Sequence, residues 1–166
     1  DRLLLSPSTR SGILIGRLAG SAIFGAAQSL IFILLLLPFN APVKSGVIGI
    51  VALSVSGGIV ALAIGSIMSS VAIRTGSAEA VQGAFPLLFV LLFFSSAFFP
   101  RETMTGAYKR IADINPISYL VEGMRTLVLD GFNMQALAKT LFIPTAICIV
   151  AVALALTQLR RRISAQ

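Results

Sequence analysis

The 166-residue sequence contains no histidine, one cysteine and six acidic residues, and these shortages exclude several classes of protein. Without histidine, an intramembrane metalloprotease or a histidine-dependent acyltransferase lacks its usual metal ligand or general base. The single cysteine, Cys148, allows no disulfide within the chain, so we interpret it as a small packing residue. No G-x-x-x-x-G-K-[ST] phosphate loop is present, so we expect no cofactor and no ATP bound by this chain.

Charge is also scarce, and its distribution predicts where the chain contacts lipid. Only 11% of the residues are charged while 57% are hydrophobic, which leaves too little polar surface for a water-soluble fold. Four nearly charge-free intervals each suit a membrane-crossing helix of about 20 residues. We place the spans at 18–43, 45–73, 80–100 and 138–159. Because no alternating barrel pattern occurs, we expect one all-α integral membrane domain over residues 1–166.

The positions of the acids also bear on the source of energy. All six fall in loops or at helix ends of this scheme, which argues against a transporter coupled to a proton or ion gradient. Ser95 and Ser96 lack a histidine or buried lysine partner, so we interpret them as helix-packing residues and not as nucleophiles. If the protein does work, we expect its energy to come from another polypeptide or domain.

Arginines at the two ends of the chain set the expected orientation. Four spans put both termini on one side, where Arg2, Arg10, Arg17 and the run 160–162 lie close to span ends. By the positive-inside rule we expect this side to be cytoplasmic. The count of Lys and Arg, seven inside and six outside, barely distinguishes the two orientations. We attribute the net charge of +7 to basic residues that set the orientation in the membrane and contact the lipid surface. We therefore expect no nucleic-acid partner.

Small residues recur at every fourth position in the first two spans, a spacing that lets helices approach closely. The first stripe consists of Gly12, Gly16 and Gly20. The second stripe consists of Gly57, Ala61, Gly65 and Ser69. Two interpretations of these helix-packing residues stay open: packing within one subunit, and a seam between two subunits.

Between the last two spans, residues 101–134 are polar but keep a helical spacing of apolar residues. The stretch "TMTGAYKRIADIN" predicts a short amphipathic helix, and "PISYLVEGMRTLVLDG" predicts a second one after a break at Asn115-Pro116. Neither is apolar enough to span alone. We expect an external helical hairpin dipping into the outer leaflet, with Glu122 and Arg125 facing water or a neighbouring subunit, in preference to a solvated loop.

The order of these motifs resembles a known family. A run ending in "SSAFFP", then "INPISYLVEGMR" and a last span are similar to the membrane subunit of type-two ABC exporters, particularly bacterial drug- and lipid-export permeases of the daunorubicin-resistance type. The opening "DRLLLSPSTRSGILIGRL" resembles the family's cytoplasmic segment before a membrane helix. Family members have six spans, so this chain is either a fragment lacking two N-terminal spans or a protein that has lost them. We expect a fragment, since Asp1 falls inside a motif of the family.

The resemblance implies partners and site residues. It implies a multi-pass, non-enzymatic subunit of the bacterial cytoplasmic (inner) membrane, paired with a second permease subunit and with a cytoplasmic ABC ATPase that holds ATP and Mg. Segment 1–16 would couple to that ATPase, although an interfacial helix lying on lipid is a competing interpretation. The ATPase-coupling patch would comprise Leu3, Leu4, Leu5, Ser6, Pro7, Ser8, Thr9 and Arg10. The external gate would comprise Phe98, Phe99, Pro100, Asn115, Pro116, Tyr119, Glu122 and Arg125.

The implied function is export of hydrophobic or amphipathic drugs or lipids. Two alternatives stay open at this point: a polysaccharide-export permease, and a membrane scaffold or assembly subunit that transports nothing. Whether the permease pairs with itself or with a different subunit is also left open.

Overall fold

A computed structural model describes residues 10–164 and shows only helices and turns over that range. The six α-helices are α1 (Arg10–Leu36), α2 (Gly46–Thr75), α3 (Ala78–Phe93), α4 (Gly106–Ile114), α5 (Pro116–Leu129) and α6 (Met134–Ser164). Short 3-10 turns follow α1 at Leu37–Phe39 and precede α4 at Arg101–Thr103. The predicted all-α class and the helical hairpin, α4 and α5, are confirmed.

Three helical stretches are long and apolar enough to cross a membrane: Ile15–Phe39, Gly46–Thr75 and Met134–Leu159. The third predicted span, 80–100, corresponds to α3, an apolar helix of 16 residues that ends at Phe93. The chain continues as turns through residue 99, and the contacts described below explain why the helix stops early. The protein is therefore a multi-pass helical membrane protein with one short apolar helix among its long ones.

The first helix begins earlier than the charge pattern predicts. Residues 10–16, placed in the coupling segment by the sequence, form the first turns of α1 and continue directly into the membrane helix. The rest of the coupling patch, Leu3–Thr9, lies outside the described residues. Arg10, the last residue of that patch, is the first residue of α1.

The bundle is organised around α2, which packs against α1 on one side and α6 on another. Helix α5 packs on α6, and α3 packs mainly on α2. Lipid provides no hydrophobic drive between helices, so close approach of small residues has to supply the packing energy. Consistent with this, most of the buried residues of α2 are small: Gly49, Ala52, Ser56, Gly58, Ala63 and Ser66.

These connections give the bundle two distinct ends. The hairpin end carries the α1–α2 loop, the end of α3, the hairpin α4–α5 and the start of α6. Here the loop is bonded to the end of α5, with Lys44 N–H donating to the Val128 carbonyl at 3.0 Å and Ser45 N–H to the Leu127 carbonyl at 3.2 Å. The turn end carries the start of α1, the turn at Gly76 and the end of α6.

Glycines bring α1 and α2 into backbone contact. A Cβ added to Gly25 would lie 2.8 Å from the Gly57 carbonyl oxygen, and one added to Gly58 would lie 2.8 Å from that of Ala22. Gly65 faces Ser21 in the same way. The second predicted stripe thus packs within the chain, against a stripe of α1 at Ser21, Gly25 and Ser29.

The first predicted stripe occupies a different face of α1. Gly16 and Gly20 are exposed and have no atom within 4 Å of where a Cβ would stand, and Gly12 is also exposed. Four-residue spacing predicts a smooth helix face correctly, but it does not specify which of two such faces on one helix meets the neighbour. The second stripe's remaining member, Ser69, lies at a pocket discussed below.

A buried proline and a serine join α2 to α6. Pro144 is fully buried within α6 and has no N–H, so the carbonyl of Thr140, four residues earlier, loses its helical donor. Ser56 Oγ of α2 donates to this carbonyl at 2.8 Å, and Ser56 is fully buried. Since an unpaired carbonyl is costly in hydrocarbon, this bond specifies how α2 and α6 meet.

Ser56→Ala should therefore destabilise the bundle by about 1 kcal/mol, because the Thr140 carbonyl loses its donor. In a Pro144→Ala background a restored N–H should supply that donor, and the cost of Ser56→Ala should fall by at least half. Unfolding free energies in mixed micelles measure this cycle. Ser66→Ala is the matched control, since its hydroxyl donates to the Leu62 carbonyl of its own helix. Equal costs of Ser56→Ala in the two backgrounds would contradict the assignment.

Gly25→Ala should destabilise the bundle by about 1–3 kcal/mol, because the added methyl group overlaps Gly57 and Ala61 of α2. Gly20→Ala is the control, since it adds the same atom to open space on the same helix. Thermal unfolding in detergent distinguishes the two. A Gly25→Ala protein as stable as Gly20→Ala would show that α1 and α2 are not in backbone contact.

Candidate functional site

The early end of α3 leaves carbonyl groups that polar side chains of the hairpin satisfy. The last carbonyls of any helix lack helical donors, and in an apolar surrounding they require partners. Asn115 Nδ2 donates to the carbonyls of Leu91 at 2.7 Å and Phe94 at 3.2 Å. Tyr108 Oη donates to the Phe93 carbonyl. These bonds stabilise the exit of the chain from the helix at this point, seven residues before Pro100.

Two serines add a reciprocal pair between the end of α3 and α5. Ser96 N–H donates to Ser118 Oγ at 3.2 Å, and Ser96 Oγ donates to the Ser118 carbonyl at 2.9 Å. Arg125 donates to the Ser96 carbonyl at 2.7 Å. Ser95 and Ser96 are fully buried, and Ser95 Oγ bonds the Leu92 carbonyl at 2.6 Å. Both hydroxyls therefore have structural partners and no general base beside them.

Asn115 lies between α4 and α5 and links both helices to the end of α3. Its Nδ2 bonds the end of α3, while its Oδ1 accepts the Ile117 N–H at 3.0 Å and so caps the start of α5. Pro116 follows at the first helical position, where a missing N–H costs nothing. Asn115 is buried, with 6% of its surface exposed. The break predicted at Asn115-Pro116 is present and also serves as the attachment point of α3.

A charged cluster forms around Arg101, just after α3. Its guanidinium forms a two-pronged ion pair with Glu122, and a longer contact of 3.4 Å with Asp113 Oδ1. The same guanidinium lies 4.3 Å from the ring centroid of Tyr119, whose hydroxyl donates to the Asp113 carbonyl at 2.7 Å. The Glu122 carboxylate raises the pKa of Arg101 above its ordinary value. This ion pair joins the chain after α3 to α5.

Most of the predicted gate residues lie together, but their partners differ from those expected. Asn115, Pro116, Tyr119, Glu122 and Arg125 all lie at the junction of α3 and α5. The polar edge of Glu122 and Arg125, expected to face water or a neighbouring subunit, instead bonds to Arg101 and Ser96 of the same chain. Glu122 also lies inside α5 and not at a helix end, although α5 is outside the long spans.

The three residues before the cluster, Phe98, Phe99 and Pro100, are exposed. The Phe98 ring stacks on Phe93 with centroids 4.8 Å apart, while Phe99 is 60% exposed and Pro100 is exposed too. Sequence reasoning missed Arg101, Tyr108 and Ser118. A signal for Ser118 was present, since positions 115, 118, 122 and 125 share one helix face and form a polar stripe.

A pocket of about 310 Å³ opens beside the cluster, between α5 and the start of α6. Glu102, Asp130 and Lys139 contribute charges of both signs to its lining. Its wall is tight at Gly123, where a Cβ would lie 2.8 Å from Thr140 Oγ1. Among residues 10–164, no group of three or more His, Cys, Asp or Glu side chains could hold a metal ion. The geometry is that of a cross-linked helix end and offers no nucleophile paired with a base.

Comparison with known protein families gives a match over most of the chain. The sequence model of the family described as "ABC-2 family transporter protein" matches residues 1–157. The chain belongs to the ABC-2 family. It is the membrane-spanning permease of an ABC transporter, and so a transport subunit and not a catalytic one. Neither a curated protein nor a solved structure matches the permease significantly.

Asn115→Asp should destabilise the permease by about 2 kcal/mol, since the carboxylate can still cap α5 but cannot donate to the Leu91 and Phe94 carbonyls. Asn133→Asp is a matched control. Asn133 caps α6 through its Oδ1, which accepts the N–H groups of Gln135 and Ala136. An aspartate at position 133 can still accept both of these hydrogen bonds. Thermal unfolding of both variants in detergent tests the expectation, and equal melting temperatures would contradict the attachment of α3 through Asn115.

Proposed function

We propose that this permease is the membrane subunit of an ATP-driven exporter, and that it moves hydrophobic or amphipathic drugs or lipids outward across a bacterial cytoplasmic membrane. The family match over residues 1–157 carries the proposal. Its partners would be a cytoplasmic ABC ATPase, which binds ATP and Mg, and a second permease subunit. Both ends of the described segment would face the cytoplasm, which places the hairpin outside.

The distribution of charge supports an external source of energy. The stretches 15–39, 46–75 and 134–159 contain no acidic residue, and their few basic residues lie near their ends. Gradient-driven transport generally uses an ionisable group within the membrane, because such a group responds to the gradient. The permease would therefore depend on ATP hydrolysis by its partner.

The packing of α3 suggests which element moves. No residue of α3 is buried, and it packs mainly on α2, whereas α5 packs closely on α6. Its outer end is tied to α5 through Asn115 and Ser118. Its inner end follows a turn at Gly76, where φ is +67° and a side chain would be strained. We infer that α3 pivots about its tied outer end, so that the inner side opens while the hairpin keeps the outer side closed.

The coupling patch Leu3–Arg10 would supply the movement. It directly precedes the body of α1, and α1 is in backbone contact with α2, which carries α3. A displacement of the patch by the ATPase would therefore act on the helices around the inner end of α3. This is rigid-body switching biased by a ligand on a partner.

Leu4→Asp should abolish association with the ATPase and ligand-stimulated hydrolysis together, since a carboxylate would be buried in the partner's groove without a compensating charge. Co-purification of the full-length permease with an ABC ATPase, followed by hydrolysis with and without amphipathic drugs, measures both. Leu129→Asp at the exposed hairpin end is the matched control and should retain association.

The two measurements separate the possible failures. Retained ATPase binding by correctly inserted Leu4→Asp would exclude Leu4 as an anchor and favour a segment that lies on lipid. A wild-type complex whose hydrolysis responds to no hydrophobic compound would contradict the proposed substrate class, while an absent complex would favour the scaffold alternative.

A further inference from the structure

A second pocket, of about 230 Å³, lies at the turn end between α1, α2 and the start of α3. Its polar lining residues are Arg17 and Ser21 from α1 and Ser69 from α2. Its apolar lining residues include Leu18, Met68 and Val81. A cation beside hydroxyls and an apolar wall is suited to a ligand with both an anionic head and a hydrocarbon chain.

The polar groups of this pocket are available to a ligand. No ion pair joins Arg17 to another described residue, and its side chain is exposed. Ser21 Oγ donates its proton to the Leu18 carbonyl at 2.8 Å, which leaves the Arg17 guanidinium as the principal donor. The acid at this end within residues 10–164, Glu79, accepts a hydrogen bond from Ser77. With Arg17 and Arg74 against this one carboxylate, the described side chains at this end carry a net positive charge.

The pocket depends partly on a missing side chain. A Cβ at Gly65 would lie 3.1 Å from Ser21 Oγ and 3.8 Å from Leu18 Cδ2, so a larger residue there would occupy the space between α1 and α2. Ala72, one turn beyond Ser69 toward the helix end, also lines the pocket with little bulk. Small residues on α2 thus create an opening next to the arginine.

We propose that this pocket binds one anionic phospholipid from the leaflet at the turn end. Its phosphate accepts hydrogen bonds from Arg17 and Ser69, and the first part of an acyl chain packs on Leu18, Met68 and Val81. Basic pockets between membrane helices are a recurring way of holding such headgroups. The site is separate from the hairpin cluster, and the binding does not depend on the proposed transport function.

Native mass spectrometry tests whether the pocket prefers an anionic headgroup. The purified full-length protein is supplied with equal amounts of phosphatidylglycerol and phosphatidylcholine. The wild type should retain one phosphatidylglycerol in preference to phosphatidylcholine. Arg17→Gln should reduce that preference about tenfold, since a charge-assisted hydrogen bond is lost. Arg74→Gln removes the same charge at the same end without touching the pocket and should have little effect. Equal losses in the two variants would show surface attraction only and overturn the proposal.

Filling the pocket with a larger side chain tests whether the acyl chain of the lipid lies in it. Ala72→Leu should reduce retention of phosphatidylglycerol without changing Arg17. Gly83→Leu is the control, because Gly83 lies on α3 with open space around it. Melting temperatures of both variants establish that they fold. If correctly folded Ala72→Leu retained as much lipid as Gly83→Leu, the pocket would not be the binding site.

Competition with inorganic phosphate distinguishes a lipid from a free anion. Phosphate at the concentration of the lipid should not displace phosphatidylglycerol, because it lacks the apolar contacts. If phosphate displaced the lipid from the wild type and Arg17→Gln failed to bind phosphate, the pocket would be a simple anion site. That result would overturn the lipid proposal.

Discussion

Backbone carbonyls that have lost their helical donors organise much of this structure. Pro144 frees the Thr140 carbonyl inside α6, and Ser56 of α2 satisfies it. The early end of α3 frees another group of carbonyls, and Asn115 supplies donors to two of them. In water such groups would hydrate at little cost, but hydrocarbon offers no alternative partner. The need for donors therefore dictates which helices meet and at what height.

The hairpin is better understood as a cross-link than as a cover. Helix α5 presents a polar stripe to the end of α3 and packs on α6 along its other side. The ion pair of Arg101 with Glu122 adds a third connection, and its bidentate geometry restricts rotation as well as distance. Separating α3 from α5 would require several of these bonds to break together. The hairpin end is thus the stiff end of the bundle.

The sequence predicts the helices well because charge-free intervals and helical periodicity are local properties. It predicts the hairpin and its break at Asn115-Pro116 for the same reason. It places the end of α3 at Pro100 because an apolar run looks continuous, whereas the donors that end the helix at Phe93 come from residues about 15–24 positions later in the chain. The choice between the two glycine faces of α1 likewise depends on where α2 lies. Pro144 does reveal a carbonyl in need of a donor, but only the packing of α2 identifies Ser56 as its partner.

The two ends of the bundle differ in both charge and connectivity, and this difference limits where movement can occur. The hairpin end contains six basic and four acidic residues, with ion pairs and side-chain bonds across three helices. The turn end has Arg17, Arg74 and one acid among its described side chains, and its pocket separates α1 from the start of α3. The cross-links described above therefore restrain the hairpin end more than the turn end. If α3 moves as proposed, its end at the turn is therefore expected to move first, and an anionic lipid in the pocket beside Arg17 would lie against the part that moves.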